Sequence, residues 1–190
     1  MRQSATKPPR RPIRQPLDAA ALDRLALAYA ARFAVSAAKL ADYLRRKLRE
    51  RGWEGEAQPP VAAIVARFVA AGYVDDAAYA RAKTGSMLRR GLGMRRVARA
   101  LGAAGIGEDD RAEAKPGLGD QRRAALSLAR RRGFGPFGGG QADRALREKQ
   151  IAALLRAGHP LDSARELVNA ASVEAAEQWA GPENEDQPCD

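Results

Sequence analysis

One short pattern occurs three times in this chain of 190 residues and limits what the chain can fold into. An Ala-Gly pair is followed within a few residues by Asp in AAGYVDD, AAGIGEDD and RAGHPLD, which start at residues 70, 103 and 156. Glycine accepts the left-handed conformation that often ends a helix, and acidic side chains favour the start of the next helix. The pattern therefore predicts helix junctions at Gly72, Gly105 and Gly158, with Asp75 or Asp76 as an N-cap.

The stretches between the junctions are helical in pattern. Apolar residues recur at spacings of three and four, as in Val61, Ile64, Val65 and Phe68, and no stretch alternates like a strand. We predict an all-α fold of three tandem three-helix repeats that share cores and form an elongated, curved molecule. The predicted divisions are a flexible basic arm at 1–16, repeats at 17–74, 75–118 and 119–172, and an acidic tail at 173–190.

The charge balance indicates a polyanionic partner. Lys and Arg number 33 against 23 Asp and Glu, so the formal net charge is +10. Residues 77–107 contain seven of these cations and no carboxylate. If Val97, Leu101 and Ala104 are buried, the arginines of the same helix face solvent. The candidate interface residues are Arg81, Lys83, Arg89, Arg90, Arg95, Arg96, Arg99, Arg122, Arg123, Arg130 and Arg131.

Three motifs that suggest catalysis are better explained by structure. YVDD at residues 73–76 resembles a polymerase metal-binding turn, but that turn needs flanking strands, whereas a helix precedes Tyr73 here. GFGPFG at 133–138 matches a dinucleotide fingerprint, but it follows a helix and Pro136 removes an amide. His159, the single histidine, has no nucleophile near it in sequence. We expect no catalytic residue, no metal and no cofactor.

The remaining features favour a cytoplasmic monomer. The one cysteine, Cys189, excludes an intramolecular disulfide, and no apolar run is long enough to span a membrane.

The central stretch from AAGYVDDAAYA through LRRGLGMRRVARALGAAGI resembles the RecX family of regulatory proteins, bacterial modulators of the recombinase RecA. The resemblance covers about residues 20–170. It implies three tandem three-helix repeats that lie in the groove of a RecA–DNA filament. It also implies inhibition of RecA recombinase, ATPase and coprotease activities in homologous recombination and the SOS response, without catalysis. In the central repeat Tyr73, Asp75, Asp76 and Tyr79 are expected to be structural, with Tyr73 packed into the junction.

Two alternatives remain. A general helical DNA-binding protein would act through phosphate contacts with single- or double-stranded DNA, although the exposed side of GMRRVARAL offers only arginine for reading bases. A nuclease or polymerase fragment using Asp75 and Asp76 would require divalent metal.

Overall fold

The computed structural model describes residues 15–139 and 143–181, and the regular structure in these ranges is helical apart from one isolated bridge between Leu17 and Trp53. The all-α prediction is therefore confirmed. The helices are α1 (Ala19–Arg32), α2 (Ala37–Arg51), α3 (Val61–Ala70), α4 (Asp76–Arg89), α5 (Met94–Gly102), α6 (Glu108–Glu113), α7 (Leu118–Arg132), a 3₁₀ helix (Gly135–Phe137), α8 (Arg144–Ala157), α9 (Leu161–Asn169) and α10 (Val173–Trp179).

The chain divides between Val74 and Asp75 into two compact units. Helices α1 to α3 form the first unit. Their core residues, each less than a tenth exposed, are Leu17, Leu22, Ala26, Val35, Leu40, Ala41, Leu44, Val61, Ile64, Phe68 and Val74. The Ser36 hydroxyl caps α2 by accepting a hydrogen bond from the Lys39 amide at 3.3 Å. Leu17 is fixed because its amide donates to the Gly52 carbonyl and its own carbonyl accepts from the Glu54 amide, both at 3.0 Å.

The first junction has the predicted backbone but a different side-chain arrangement. Gly72 is left-handed, with φ of 73°, and the Asp75 carboxylate caps α4 by accepting from the Ala78 amide at 2.8 Å. The expectation that Tyr73 packs into the junction is wrong, because Tyr73 is 61% exposed and Val74 is 2% exposed. The core at this junction therefore contains one of these two neighbouring side chains and not the other. Val74 is the buried one, and the Tyr73 ring is tilted by 53° against the Phe68 ring, with centroids 5.5 Å apart.

In the second unit, α4 to α6 share one core and α7 to α10 build two more. The first consists mainly of Tyr79, Ala80, Met87, Val97, Leu101, Ala104 and Ile106. The others centre on Ala125, Ala129, Leu167 and Ala176, and on Ile151, Leu154, Ala164 and Val168. Gly105 and Gly158 are left-handed, with φ of 70° and 100°, as the repeated pattern predicts.

The segment predicted as the start of the acidic tail is a packed helix. The Ser172 hydroxyl caps α10 by accepting from the Ala175 amide at 3.2 Å. Ala176 and Ala180 are each 1% exposed, and Trp179 packs against the same core. The prediction followed charge and overlooked this apolar face, so the boundary at 173 is too early. Residues 1–14 of the predicted arm and 182–190 of the predicted tail lie outside the described ranges.

The end of α8 meets the start of α5 within the second unit. The Gly93 amide donates to the Ala157 carbonyl at 2.9 Å, and the Arg95 amide donates to the Gly158 carbonyl at 3.2 Å. A Cβ atom on Gly93 would lie 2.3 Å from the carbonyl carbon of Gly158. Gly93 is therefore required by the close approach of two backbones.

This geometry distinguishes two glycine substitutions in the same segment. Gly93→Ala should lower the free energy of unfolding by about 1–3 kcal/mol, because one backbone must move away from the other. Gly102→Ala is the matched control. Apart from its chain neighbours and the backbone of its own helix, nothing lies within 4 Å of its added Cβ, and alanine should stabilise the end of α5 by up to about 1 kcal/mol. Urea unfolding of both variants measures the difference, and equal effects would contradict the close approach.

Candidate partner-binding surface

Helix α5 presents three arginines on the side opposite its core. Val97 and Leu101 are buried, whereas Arg95, Arg96 and Arg99 are exposed, as the pattern predicts. The Arg96 Nε atom donates to the Arg156 carbonyl at 2.9 Å, so part of this side chain belongs to the contact with α8.

Helix α4 continues the same basic stretch. Ala80, Thr84 and Met87 are buried, and Arg81, Arg89 and Arg90 are exposed, while Lys83 is half-buried. Arg81 forms an ion pair with Glu113 at 2.7 Å, because the acidic helix α6 packs beside α4. The positive charge of the carboxylate-free stretch is therefore partly neutralised at Arg81 of α4, whereas Arg95 and Arg99 of α5 are exposed.

The four candidate arginines of α7 all have intramolecular contacts. Arg122 lies over the Trp179 ring at 5.3 Å, and Arg123 pairs with Asp120 at 2.7 Å. Arg130 pairs with Glu177 of α10, and the Arg131 guanidinium donates to the Arg90 carbonyl. Exposed ion pairs are weak, so these contacts do not exclude a partner. They do show that the side chains of all four α7 arginines contribute to contacts within the protein. The exposed Arg95 and Arg99 of α5 are therefore the better interface candidates.

Helix α2 of the first unit carries a second basic surface, which the sequence analysis missed. It contains six basic residues and two acidic ones, a net charge of +4. Tyr43 of α2 stacks on Tyr29 of α1, with ring centroids 4.0 Å apart. The feature of the sequence that indicates this surface is the group of cations around Tyr43 in KLADYLRRKLRER. It was overlooked because two acidic residues interrupt the positive run.

No group of three or more His, Cys, Asp or Glu side chains within residues 15–139 and 143–181 could hold a metal ion. In the same part of the chain, no helix is long and apolar enough to cross a membrane. Asp75 and Asp76 lie at the start of α4, where Asp75 acts as the N-cap.

His159, at the third junction, is buried to 1% exposure, and its Nε2 donates to the Gly91 carbonyl at 3.0 Å. Burial lowers the pKa of His159 below its usual 6.5, because desolvation disfavours the charged ring, and the carbonyl contact offsets only part of this effect. The neutral imidazole thus connects the segment between α4 and α5 to the start of α9.

Within the residues that the structure describes, the protein is built from short helical modules, one of which carries exposed arginines on α5. A family described as "RecX, second three-helix domain" matches residues 75–114, which contain α4 to α6. The curated "Regulatory protein RecX" of Myxococcus xanthus (strain DK1622) is 30% identical over 158 residues, which cover 78% of this chain and 84% of that protein. The crystal structure of RecX from Lactobacillus salivarius aligns with a TM-score of 0.64 and 16% identity, over 78% of this chain and 93% of that one, and shows the shared fold.

The chain belongs to the RecX family of regulatory proteins. The match to the second three-helix domain places α4 and α5, with their exposed arginines, in a recognised module of that family.

The buried histidine generates a pH prediction. In the unfolded chain His159 takes up a proton near its usual pKa of 6.5, whereas in the folded protein its pKa is lower. The stability present above pH 6.5 is therefore lost as the pH falls from 6.5 toward the folded pKa. The free energy of unfolding should drop by up to about 1.4 kcal/mol per pH unit in that window. Denaturant titrations between pH 5 and 7 measure the slope. His159→Gln is the control, because it removes the only histidine, and an unchanged slope in that variant would contradict the assignment.

Proposed function

We propose that this protein is a non-enzymatic regulator that binds RecA, docks in the groove of the RecA–DNA filament, and inhibits RecA recombinase, ATPase and coprotease activities. In this role it would act in the cytoplasm on DNA repair and the SOS response. The observation that supports the proposal most directly is the arginine face of α5, which belongs to a stretch without carboxylates.

The arginine face of α5 is chemically complementary to an anionic surface, and its backbone is preorganised. Guanidinium groups form paired hydrogen bonds with carboxylate and phosphate, so the same face suits acidic protein side chains and a DNA backbone. The first turn of α5 is fixed by the contacts of Gly93 and Arg95 with α8. A rigid backbone reduces the entropy lost on binding. The surface therefore suits a composite partner in which protein and DNA phosphates lie close together.

The composition of α5 favours shape and charge recognition over base reading. Within residues 94–102 there is no Ser, Thr, Asn or Gln to pair with base edges. A filament presents the same surface many times. Several modest contacts to neighbouring RecA subunits would then combine into tight binding.

Charge reversal on α5 tests the proposed interface. Arg95→Glu combined with Arg99→Glu should abolish inhibition of RecA ATP hydrolysis, because repulsion replaces attraction on the exposed face of α5. Both side chains are exposed, so the fold should persist, which circular dichroism can verify. Arg144→Glu with Arg165→Glu is the charge-matched control, since both are exposed on α8 and α9 outside the candidate surface. Full inhibition by the folded Arg95/Arg99 variant would refute the interface.

A salt series separates this function from general DNA binding. Binding should be measured to bare single-stranded DNA and to RecA filaments on that DNA. Phosphate contacts weaken steeply with salt, whereas protein contacts in a filament groove retain part of their strength. We expect a large preference for the filament that persists at moderate salt. Tight binding to naked duplex with no preference for the filament would instead support a helical DNA-binding protein acting through phosphates.

A further inference from the structure

The first unit contains a second candidate binding site, between α1 and α2. Here an open cavity of about 450 Å³ is lined by Tyr29, Lys39, Asp42, Tyr43, Arg46 and Arg49. We call these residues, together with the adjacent Phe33, the aromatic pocket. It lies apart in sequence from the arginines of α4, α5 and α7, and the proposed function does not use it.

The aromatic rings of the pocket form a prebuilt surface. Tyr29 and Tyr43 are parallel within 4°, with centroids 4.0 Å apart. Phe33, one helical turn beyond Tyr29, is tilted by 55° against it at 5.5 Å. Phe33 is 51% exposed although it is fully apolar. The stacked tyrosines thus support an aromatic side chain that remains open to a flat ligand.

Cations surround these rings. Arg46 and Lys47 lie 5.5 and 5.8 Å from the Tyr43 ring, and Arg32 lies 5.6 Å from the Phe33 ring. Arg49 lines the cavity and is exposed. Such cation–π contacts attract positive groups to the faces of aromatic rings.

Asp42, which lines the pocket, and Glu50, further along α2, both form ion pairs with neighbours on that helix. Asp42 pairs with Arg45 at 3.2 Å, and Glu50 pairs with Lys47 at 2.6 Å and with Arg46 at 3.7 Å. All three pairs join residues three or four apart, about one turn of α2, at partly or largely exposed side chains. Pairs of this kind contribute little and exchange readily for a stronger anion. The net charge of +4 on α2 therefore remains available to an anionic ligand.

We propose that the aromatic pocket binds single-stranded nucleic acid, with a base stacked on Phe33 and the flanking phosphates held by Arg46 and Arg49. The ligand must offer both a planar group for the exposed ring and several negative charges for the arginines. Each nucleotide of a nucleic acid supplies one planar base and one phosphate. A duplex does not fit this description, because its base faces are already stacked on each other. An acidic protein segment satisfies the arginines but offers nothing regular to the exposed ring.

The test measures binding of the full-length protein to a short fluorescent oligothymidylate by anisotropy. Phe33→Ala should weaken binding about tenfold, within the range for loss of one base–aromatic stack. With an abasic oligonucleotide of the same length, Phe33→Ala and the natural chain should bind equally. Arg49→Gln should weaken binding to both probes and reduce the salt dependence, because it removes a phosphate contact.

Two controls stay within the same unit. Leu27→Ala removes an exposed apolar side chain from α1, about 160° around the helix from Tyr29 by the helical period. Arg24→Gln removes one exposed charge from the side of α1 that faces away from Tyr29. Neither should reproduce the base-dependent loss.

Two results would overturn the proposal. The first is a Phe33→Ala variant that binds oligothymidylate like the natural chain. The second is competition by oligoglutamate as effective as that by unlabelled oligothymidylate at equal charge, which would make the pocket a site for acidic protein segments. Because no recombinase is present, failure of this test leaves the proposed function untouched, and failure of the Arg95/Arg99 test leaves the pocket untouched.

Discussion

The contact between the end of α8 and the start of α5 is the constraint on which the second unit depends. A helix start has unpaired amides and a helix end has unpaired carbonyls, and here each satisfies the other. The arrangement tolerates only hydrogen at Gly93, and Gly158 must be left-handed beside it. It joins helices that are more than forty residues apart in sequence, and it places Arg95 and Arg96 at the point where the two helices meet. The basic surface is thus built on a backbone contact.

The distribution of charge along the sequence differs from the distribution of charge on the folded protein. Residues 77–107, which contain α5 and all but the first residue of α4, lack carboxylates, and α7 adds further arginines, so the sequence suggests one broad basic surface. Packing brings Glu113 to Arg81 and Glu177 to Arg130, so the edges of that surface are partly neutralised. The arginines on the outer side of α5 remain exposed. A smaller surface fits a defined docking role better than a uniformly basic face, which would attract any polyanion.

Local chemistry explains which features could be predicted from the sequence. Helix ends at Gly72 and the cap at Asp75 depend on residues within one turn, and the buried face of α5 follows from its apolar period. Tyr73 was misplaced because the choice between it and Val74 depends on the shape of the finished core. The stacking of Tyr29 on Tyr43 was invisible for a similar reason, since the two rings come from different helices. Whether the exposed arginines meet RecA is a property of a complex and is not encoded in the pattern of one chain.

Helix α10 has a practical consequence for anyone shortening this protein. Its sequence looks dispensable, because it is short and opens a segment rich in Glu and Asp. A polypeptide that stops at residue 172 would leave Ala125, Ala129 and Leu167 without their cover of Ala176 and Trp179. Such a bare apolar surface favours self-association. The folded region therefore extends to at least Ala180, and poor solubility of a shorter product would reflect a missing helix.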